Sequence, residues 1–214
     1  MTPEGTAAGL HLLGFVLSLG IGFRLRTAGA ALIRPQRQAI TVFTLAWLAL
    51  FASSVAFHLA PMGPWRDVLS IADDGAIVLA ISAAWTPLGP FRLPAPEARR
   101  MLAITWGSAL LLLALTALAA RNGQSRAALT WAFVAQAMAP GVLYGRTILT
   151  GFSWPLLGLL IASTLLYGGG LLLYWRPDLT WAHAGWHAAV LGGCLCNHAG
   201  LARLIAVARP ARPG

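Results

Sequence analysis

Two histidines in the last part of the chain, His183 and His187, have a spacing that suits metal binding. Residues four apart on an α-helix share a face one turn apart, so two imidazoles can reach the same cation. The HExxH zinc motif uses this separation, but no Glu lies between these two histidines, so the metalloprotease motif is absent. Two interpretations stay open for the pair alone: metal ligands, or interfacial histidines at a helix end.

A third histidine, His58, closes an apolar segment shortly before Pro61, and Ser54 lies one helical turn earlier. Ser54 and His58 therefore share a helix face. A histidine at a helix C-terminus also suits the helix dipole, and a serine in an apolar helix also serves helix–helix hydrogen bonding. A functional and a structural interpretation therefore stay open for this pair.

Two adjacent carboxylates, Asp73 and Asp74, lie about six residues, or roughly 9 Å, inside the next apolar segment. A charged side chain at the membrane centre costs roughly 2.5–3.5 kcal/mol, so such residues are functional candidates. The competing interpretation begins the apolar segment at Gly75, which makes both Asp residues part of a first helical turn favoured by the dipole.

Long apolar runs must position these residues. The chain has 214 residues, of which 58% are hydrophobic and 10% are charged. Runs of about 17 to 25 apolar residues predict transmembrane helices. Seven such runs lie near 7–23, 39–60, 68–88, 101–120, 127–147, 153–175 and 180–205. They predict an all-α fold, a seven-transmembrane helical bundle forming a single integral membrane domain over residues 1–214.

The composition also excludes several protein classes. So apolar a chain is not disordered, and it has too little polar surface for an ordinary soluble enzyme. All 15 cationic residues are Arg, and they lie between the apolar runs, whereas nucleic-acid binding needs a contiguous basic face. We therefore expect a multi-pass protein of the cell membrane, whose partner is the lipid bilayer and not nucleic acid.

The order of seven spans places the candidate residues on one side of the membrane. Odd spans start on the side of the N-terminus and even spans end there, so His58, Asp73, His183 and His187 share a face at shallow depth. Three histidines with a carboxylate or water form the ligand complement of a catalytic zinc site, so Zn²⁺ is the expected metal. His11 starts the first run on the same side, where it either lines the site or lies in the interface.

The arginines predict the orientation of the bundle. The side opposite the N-terminus receives Arg24, Arg26, Arg34, Arg37, Arg92, Arg99, Arg100, Arg203, Arg209 and Arg212, against Arg66, Arg121, Arg126 and Arg176 on the N-terminal side. Because cytoplasmic loops carry the excess of Arg and Lys, the N-terminus and the histidines are expected outside the cytoplasm.

These residues resemble a known family, the hemolysin III group of the progestin and adipoQ receptor family, which is itself similar to the alkaline ceramidases. The resemblance covers most of the chain. It is carried by the length, the seven runs, His11-x-x-Gly14, Ser54-x-x-x-His58, Asp73 with Ile77, Thr86-Pro87, and His183-x-x-x-His187 with Val190.

The resemblance implies zinc bound by His58, His183 and His187, with Asp73 contacting the water on the metal and Ser54 supporting the site. It also implies zinc-dependent hydrolysis of lipid amides such as ceramide, although bacterial members carry a hemolysin name. Adiponectin-receptor-like members place the N-terminus and the metal inside the cell, opposite to the arginine distribution here.

Three functional hypotheses follow. The first is an intramembrane zinc hydrolase of a lipid amide or ester, in which Asp73 orients the attacking water or takes its proton. In this hypothesis Ser54 or the zinc ion helps to hold the oxyanion. The second is a non-enzymatic receptor-like or membrane-perturbing protein with structural zinc. The third is a proton or ion transporter, which ranks last because few polar residues line the middle spans.

Overall fold

The protein is a helical bundle, seen in a computed structural model that describes residues 2–122, 129–176 and 178–209. Within these ranges every regular element is an α-helix. The helices are α1 Pro3–Ala28, α2 Arg34–Leu59, α3 Pro64–Trp85, α4 Leu88–Arg92, α5 Ala95–Arg121, α6 Leu129–Leu149, α7 Trp154–Tyr174 and α8 Ala182–Ala208. The predicted all-α membrane bundle is confirmed.

Six helical segments are long and apolar enough to cross a membrane, with α3 and α4 counted as one segment, Pro64–Arg92. The described part of α6 is not among them, because Gln136, Pro140 and Arg146 lower its hydropathy. The first two residues of the fifth predicted run, 127 and 128, lie outside the described residues, as do Arg126 and Arg212.

Several helices begin before the apolar runs that predict them. Pro35 and Pro96 lie in the first turns of α2 and α5, where the fixed φ of proline favours a helix start and its missing N–H costs nothing. The polar residues between each proline and the apolar run therefore join the helix.

The two sides of helix α1 have the residue distribution of a membrane-spanning helix. Its exposed side carries large apolar residues at helical spacing: Leu12, Val16, Leu19 and Phe23. Its buried side carries small or polar residues: Ala7, Ala8, His11, Gly14, Ser18 and Gly22, followed by Leu25. Apolar residues on the outside suit acyl chains, and small residues inside let neighbouring helices approach closely.

Three helices carry the candidate histidines, and they pack directly together. Helix α1 contacts both α2 and α8, while α3 packs on the far side of α2 and α7 on α8. The largest apolar cluster joins these helices through Phe43, Phe51, Leu191 and Ile205. The same contacts therefore stabilise the bundle and fix the relative positions of the histidines.

The polar residues inside the other half of the bundle hydrogen-bond between helices. Gln136 Nε2 donates to Ser82 Oγ at 2.9 Å and to Val78 O at 3.3 Å, and Trp85 Nε1 donates to Ala137 O at 2.9 Å. These bonds join α3 to α6. Their partners are local backbone and hydroxyl groups, which disfavours the transport hypothesis.

One glycine contact positions α1 against α2. A Cβ atom on Gly14 would lie 2.5–2.7 Å from three ring atoms of Phe51, which is far inside van der Waals contact. We expect Gly14→Ala to destabilise the protein by about 1–3 kcal/mol, because Phe51 lies in a filled core. The measurement is the thermal midpoint of unfolding in detergent.

Gly20→Ala is the matched control on the same helix, since nothing lies within 4 Å of its Cβ position. The control should be neutral or slightly stabilising, because Ala has the higher helix propensity. Equal midpoints for the two variants would contradict the proposed close approach of α1 and α2.

Candidate metal centre

The two histidines of α8 face each other at its N-terminal end. His183 Nε2 and His187 Nε2 lie 2.9 Å apart, and their ring centroids lie 4.4 Å apart. The i, i+4 spacing therefore brings two imidazole nitrogens together, as the sequence predicts for this pair. His187 is buried, whereas His183 is only partly buried.

The third predicted histidine, His58 of helix α2, lies next to His183 and His187. The His58 ring centroid lies 4.8 Å from that of His187 and 5.3 Å from that of His183. Helix α2 ends directly after His58, at Leu59. Arg66 Nη1 donates to the last carbonyls of that helix, Phe57 O at 3.1 Å and Ala60 O at 2.9 Å, so this end is capped by a cation.

Two residues of α1 complete the cluster. His11 Nε2 lies 2.8 Å from His187 Nδ1, and its ring stacks on His58 with centroids 5.5 Å apart. Glu4 Oε2 lies 2.7 Å from His58 Nδ1. Glu4 and His11 are seven residues apart, two helical turns, so both face the cluster from one side of α1.

The ligand atoms fall into two groups within which every pair lies no more than 4.8 Å apart. One group is the buried set His11, His58 and His187, and the other is Glu4, His58 and His183. The predicted set of His58, His183 and His187 is divided between these groups, with His58 common to both. A histidine and glutamate cluster that could hold a metal ion is therefore present at this end of the bundle.

The donor set could hold a metal ion, and imidazole is among the ligands that suit zinc. The two closest nitrogen pairs, at 2.8 and 2.9 Å, use opposite nitrogens of His187, Nδ1 towards His11 and Nε2 towards His183, so only one of these pairs can bind a given ion. His58 Nε2 is a buried nitrogen without a hydrogen-bond partner. Neutral imidazoles crowded in this way present lone pairs that a cation would satisfy.

The predicted carboxylate, Asp73, is held by two serines of α2. Ser54 Oγ makes a short hydrogen bond to Asp73 Oδ1, and Ser53 Oγ approaches the same oxygen at 3.5 Å. Ser54 and Asp73 are both buried. Among the described residues, Asp73 belongs to neither group of close ligand atoms.

Other titratable residues lie apart from the cluster. His198 is buried deeper in α8, where its Nδ1 lies 2.9 Å from Cys194 O and its ring packs on Phe43. In the segment between α7 and α8, Arg176 donates two hydrogen bonds to Asp178, which lowers the pKa of the Asp178 carboxyl. The exposed pair adds little stability.

Sequence reasoning missed Glu4 and left the place of His11 open. Both residues lie near the N-terminus, where a carboxylate is typical of a first helical turn. The signal that could have found them is their seven-residue spacing, which puts them on one side of the first span. Asp74, the neighbour of Asp73, is only partly buried.

Comparison with known proteins decides the family. The haemolysin-III-related family matches residues 2–198, nearly the whole chain. The chain belongs to the haemolysin-III-related family.

Two bacterial relatives agree with this membership. The hemolysin-3 homolog of Bacillus subtilis (strain 168) is 29% identical over 157 residues, which cover 72% of this chain and 70% of the relative. Hemolysin-3 of Bacillus cereus is 27% identical over 157 residues, covering 72% of this chain and 69% of the relative. The resemblance to the hemolysin III group is therefore confirmed, and this haemolysin-III-related protein is a multi-pass membrane protein.

Proposed function

We propose that this protein is a zinc-dependent hydrolase of a lipid amide or ester in the cell membrane. The observation that carries the proposal is the convergence of His58, His183 and His187 at one end of the bundle. Asp73 accepts a hydrogen bond from Ser54, which lies one helical turn before His58. In this proposal the three histidines are neutral zinc ligands. Three protein ligands leave the fourth position of a zinc ion open for chemistry.

A bound zinc ion would polarise an acyl carbonyl and lower the pKa of a coordinated water to about 7. The residues of this chain supply the rest. Asp73 accepts a proton from the attacking water and passes it to the leaving amine or alkoxide. Ser54 donates its hydroxyl hydrogen to Asp73, so it orients the carboxylate, and that hydrogen is not available to stabilise an oxyanion.

A lipid substrate suits the position of the cluster. The histidines lie near the ends of spans that expose large apolar side chains to the membrane, such as Leu12 on α1. The amide or ester carbonyl of a membrane lipid lies at the boundary between headgroup and acyl chains. His183 is the only partly buried member of the proposed ligand set, so in this proposal the carbonyl approaches the cluster past His183.

The second candidate is a non-enzymatic, membrane-perturbing protein with structural zinc. The contact of His11 with His187 favours it, because a fourth protein ligand from α1 would close the site and join α1, α2 and α8. The name of the Bacillus cereus relative, hemolysin-3, agrees with such a role.

One experiment separates the two candidates. The purified protein is reconstituted in nanodiscs and supplied with ceramides, phospholipids and lysophospholipids, and released fatty acid is measured before and after chelation and zinc restoration. The enzyme proposal expects turnover that follows the zinc content. A protein that holds zinc, turns over no member of the panel and binds no hydroxamate inhibitor would be the structural-zinc protein of the second candidate.

A further inference from the structure

We infer that Glu4 is a positioning residue, which fixes the tautomer of His58 so that its Nε2 atom is the metal ligand. The inference rests on the proposed zinc site and adds a supporting residue that the family resemblance does not supply. Glu4 Oε2 lies 2.7 Å from His58 Nδ1, and the His58 side chain is 1% exposed. An ionised carboxylate only accepts hydrogen bonds, so the His58 proton lies on Nδ1.

The other ring nitrogen of His58, Nε2, is placed as a metal ligand would be. His58 Nε2 is buried and has no hydrogen-bond partner, which is costly for a polar atom unless a cation or proton donor satisfies it. With Nδ1 protonated, Nε2 carries its lone pair on the side away from Glu4. This arrangement is the carboxylate–histidine–metal relationship that orients ligands in many zinc sites.

Arg66 lies beside Glu4, whose side chain is about half exposed. Its Nη2 atom lies 3.7 Å from Glu4 Oε2, and its Nη1 atom donates to the carbonyls of Phe57 and Ala60. The guanidinium also lies over the Phe57 ring, 4.6 Å from its centroid. The carbonyls at the end of α2 therefore bind Arg66, and Arg66 lies next to the carboxylate of Glu4. Glu4 in turn contacts His58, which is also on α2.

The metal-free protein gives the first test. Nitrogen-15 chemical shifts of His58, assigned by comparison with a His58→Gln variant, are expected to show an Nδ1-protonated ring in the parent protein. In Glu4→Ala the shifts should move toward a mixture of tautomers. Unchanged His58 shifts in Glu4→Ala would overturn the inference, and this result does not depend on whether the protein binds zinc.

Zinc affinity gives the second test, measured by competition with a chromophoric chelator. Loss of such a supporting carboxylate typically weakens metal binding by about 10- to 100-fold, which is the expected effect of Glu4→Ala. Glu4→Gln keeps an acceptor oxygen and should lose less. Glu97→Ala, the same change at the opposite end of the bundle, is the matched control and should have no effect.

The outcomes separate this inference from the proposed function. A parent protein that binds no zinc would remove the proposed function, while the tautomer measurement would still decide the role of Glu4. Equal affinities for Glu4→Ala and Glu97→Ala would overturn the positioning role alone. X-ray absorption that shows one oxygen ligand fewer in Glu4→Ala would also overturn it, since Glu4 would then be a ligand.

A second inference comes from the other end of the bundle. We propose that an anionic phospholipid occupies a groove between α1, α2 and α5. The groove has a volume of about 1880 Å³, larger than the roughly 300–1,000 Å³ typical of small-molecule pockets. Its walls include the apolar side chains of Phe23, Leu45 and Trp106.

The positive charge of the groove indicates that its occupant is anionic. Arg26, Arg34, Arg37 and Arg99 line the groove, all four are exposed, and no Asp or Glu is among its described lining residues. An apolar wall that ends in a basic cluster fits one molecule, with acyl chains along the wall and a phosphate at the arginines. A zwitterionic lipid would place its own positively charged group next to these arginines, which disfavours it as the occupant.

The test compares two double variants of equal net charge. Arg34→Gln/Arg99→Gln alters the groove, and Arg100→Gln/Arg203→Gln removes two exposed arginines of the same end that do not line it. Each protein is placed in nanodiscs of equimolar phosphatidylcholine and phosphatidylglycerol, and retained lipid is counted by native mass spectrometry. The groove variant is expected to lose about 10- to 30-fold in phosphatidylglycerol affinity relative to the control variant.

Equal retention of phosphatidylglycerol by the two variants would overturn this inference. A dimer that is present in the parent protein and absent in the groove variant would also overturn it, because a second copy of the chain would then be the occupant.

Discussion

The parent protein is expected to copurify with zinc, and a His183→Ala/His187→Ala variant is expected to be purified without it. The two side chains supply two of the three proposed ligands, and their ring nitrogens lie 2.9 Å apart. Zinc binding by a complete ligand set is worth about 10–16 kcal/mol, and a site that has lost two of its three proposed histidines retains little of that. Metal analysis per mole of chain, after purification without added metal or chelator, gives the measurement.

His198→Ala is the matched control for this result. It removes another buried imidazole from the same helix, one that contacts Phe43 and Cys194 and not the cluster. Its zinc content should equal that of the parent protein. Circular dichroism of both variants establishes that the helices persist. Equal zinc in the double variant and the parent would remove these histidines as ligands.

The convergence of α2, α3 and α8 was predictable because it follows from counting spans. Apolar run length predicts each helix, and the order of the spans predicts which ends share a membrane face. His58 and His187 are far apart in sequence, yet seven spans place them on one side. Polar backbone groups in lipid must be hydrogen-bonded within the chain, so each long apolar run has to form a helix. The spans can therefore be counted from the sequence.

The contribution of α1 could not be predicted in the same way. The rotation of a membrane helix is set by packing, and here it depends on the approach of Gly14 to the Phe51 ring. Hydropathy carries no such information, because both faces of α1 are apolar or small. His11 was therefore ambiguous, and Glu4 had the character of an ordinary first-turn residue.

Helix α6 is a case in which mean hydropathy fails to identify a helix that the apolar run predicts as a span. The sequence predicts a span there, and the structure has a 21-residue helix, Leu129–Leu149, yet its described residues fall below the hydropathy of a spanning segment. Gln136 lowers the hydropathy while its side chain is buried and bonded to Ser82. A polar residue that binds a neighbouring helix costs little in the membrane, but it counts fully in a composition average.

An Asp73→Asn variant is expected to keep its zinc and lose about 10²- to 10⁴-fold in kcat on whichever lipid the parent protein hydrolyses. The amide has the shape of the carboxylate, and its oxygen still accepts the hydrogen bond from Ser54, so the packing between α2 and α3 survives. The amide cannot accept a proton from the attacking water. The measurements are initial rates of fatty-acid release and zinc content on the same sample.

Asp74→Asn makes the same change at the adjacent, only partly buried position, and we expect it to alter kcat by less than about tenfold. The comparison separates general base catalysis from the loss of a negative charge near the metal, because both variants lose one charge at this end of the bundle. If Asp73→Asn lost zinc together with activity, Asp73 would act on metal binding. If it kept full activity, another group would accept the proton, and Glu4, whose carboxylate contacts His58, would be the candidate.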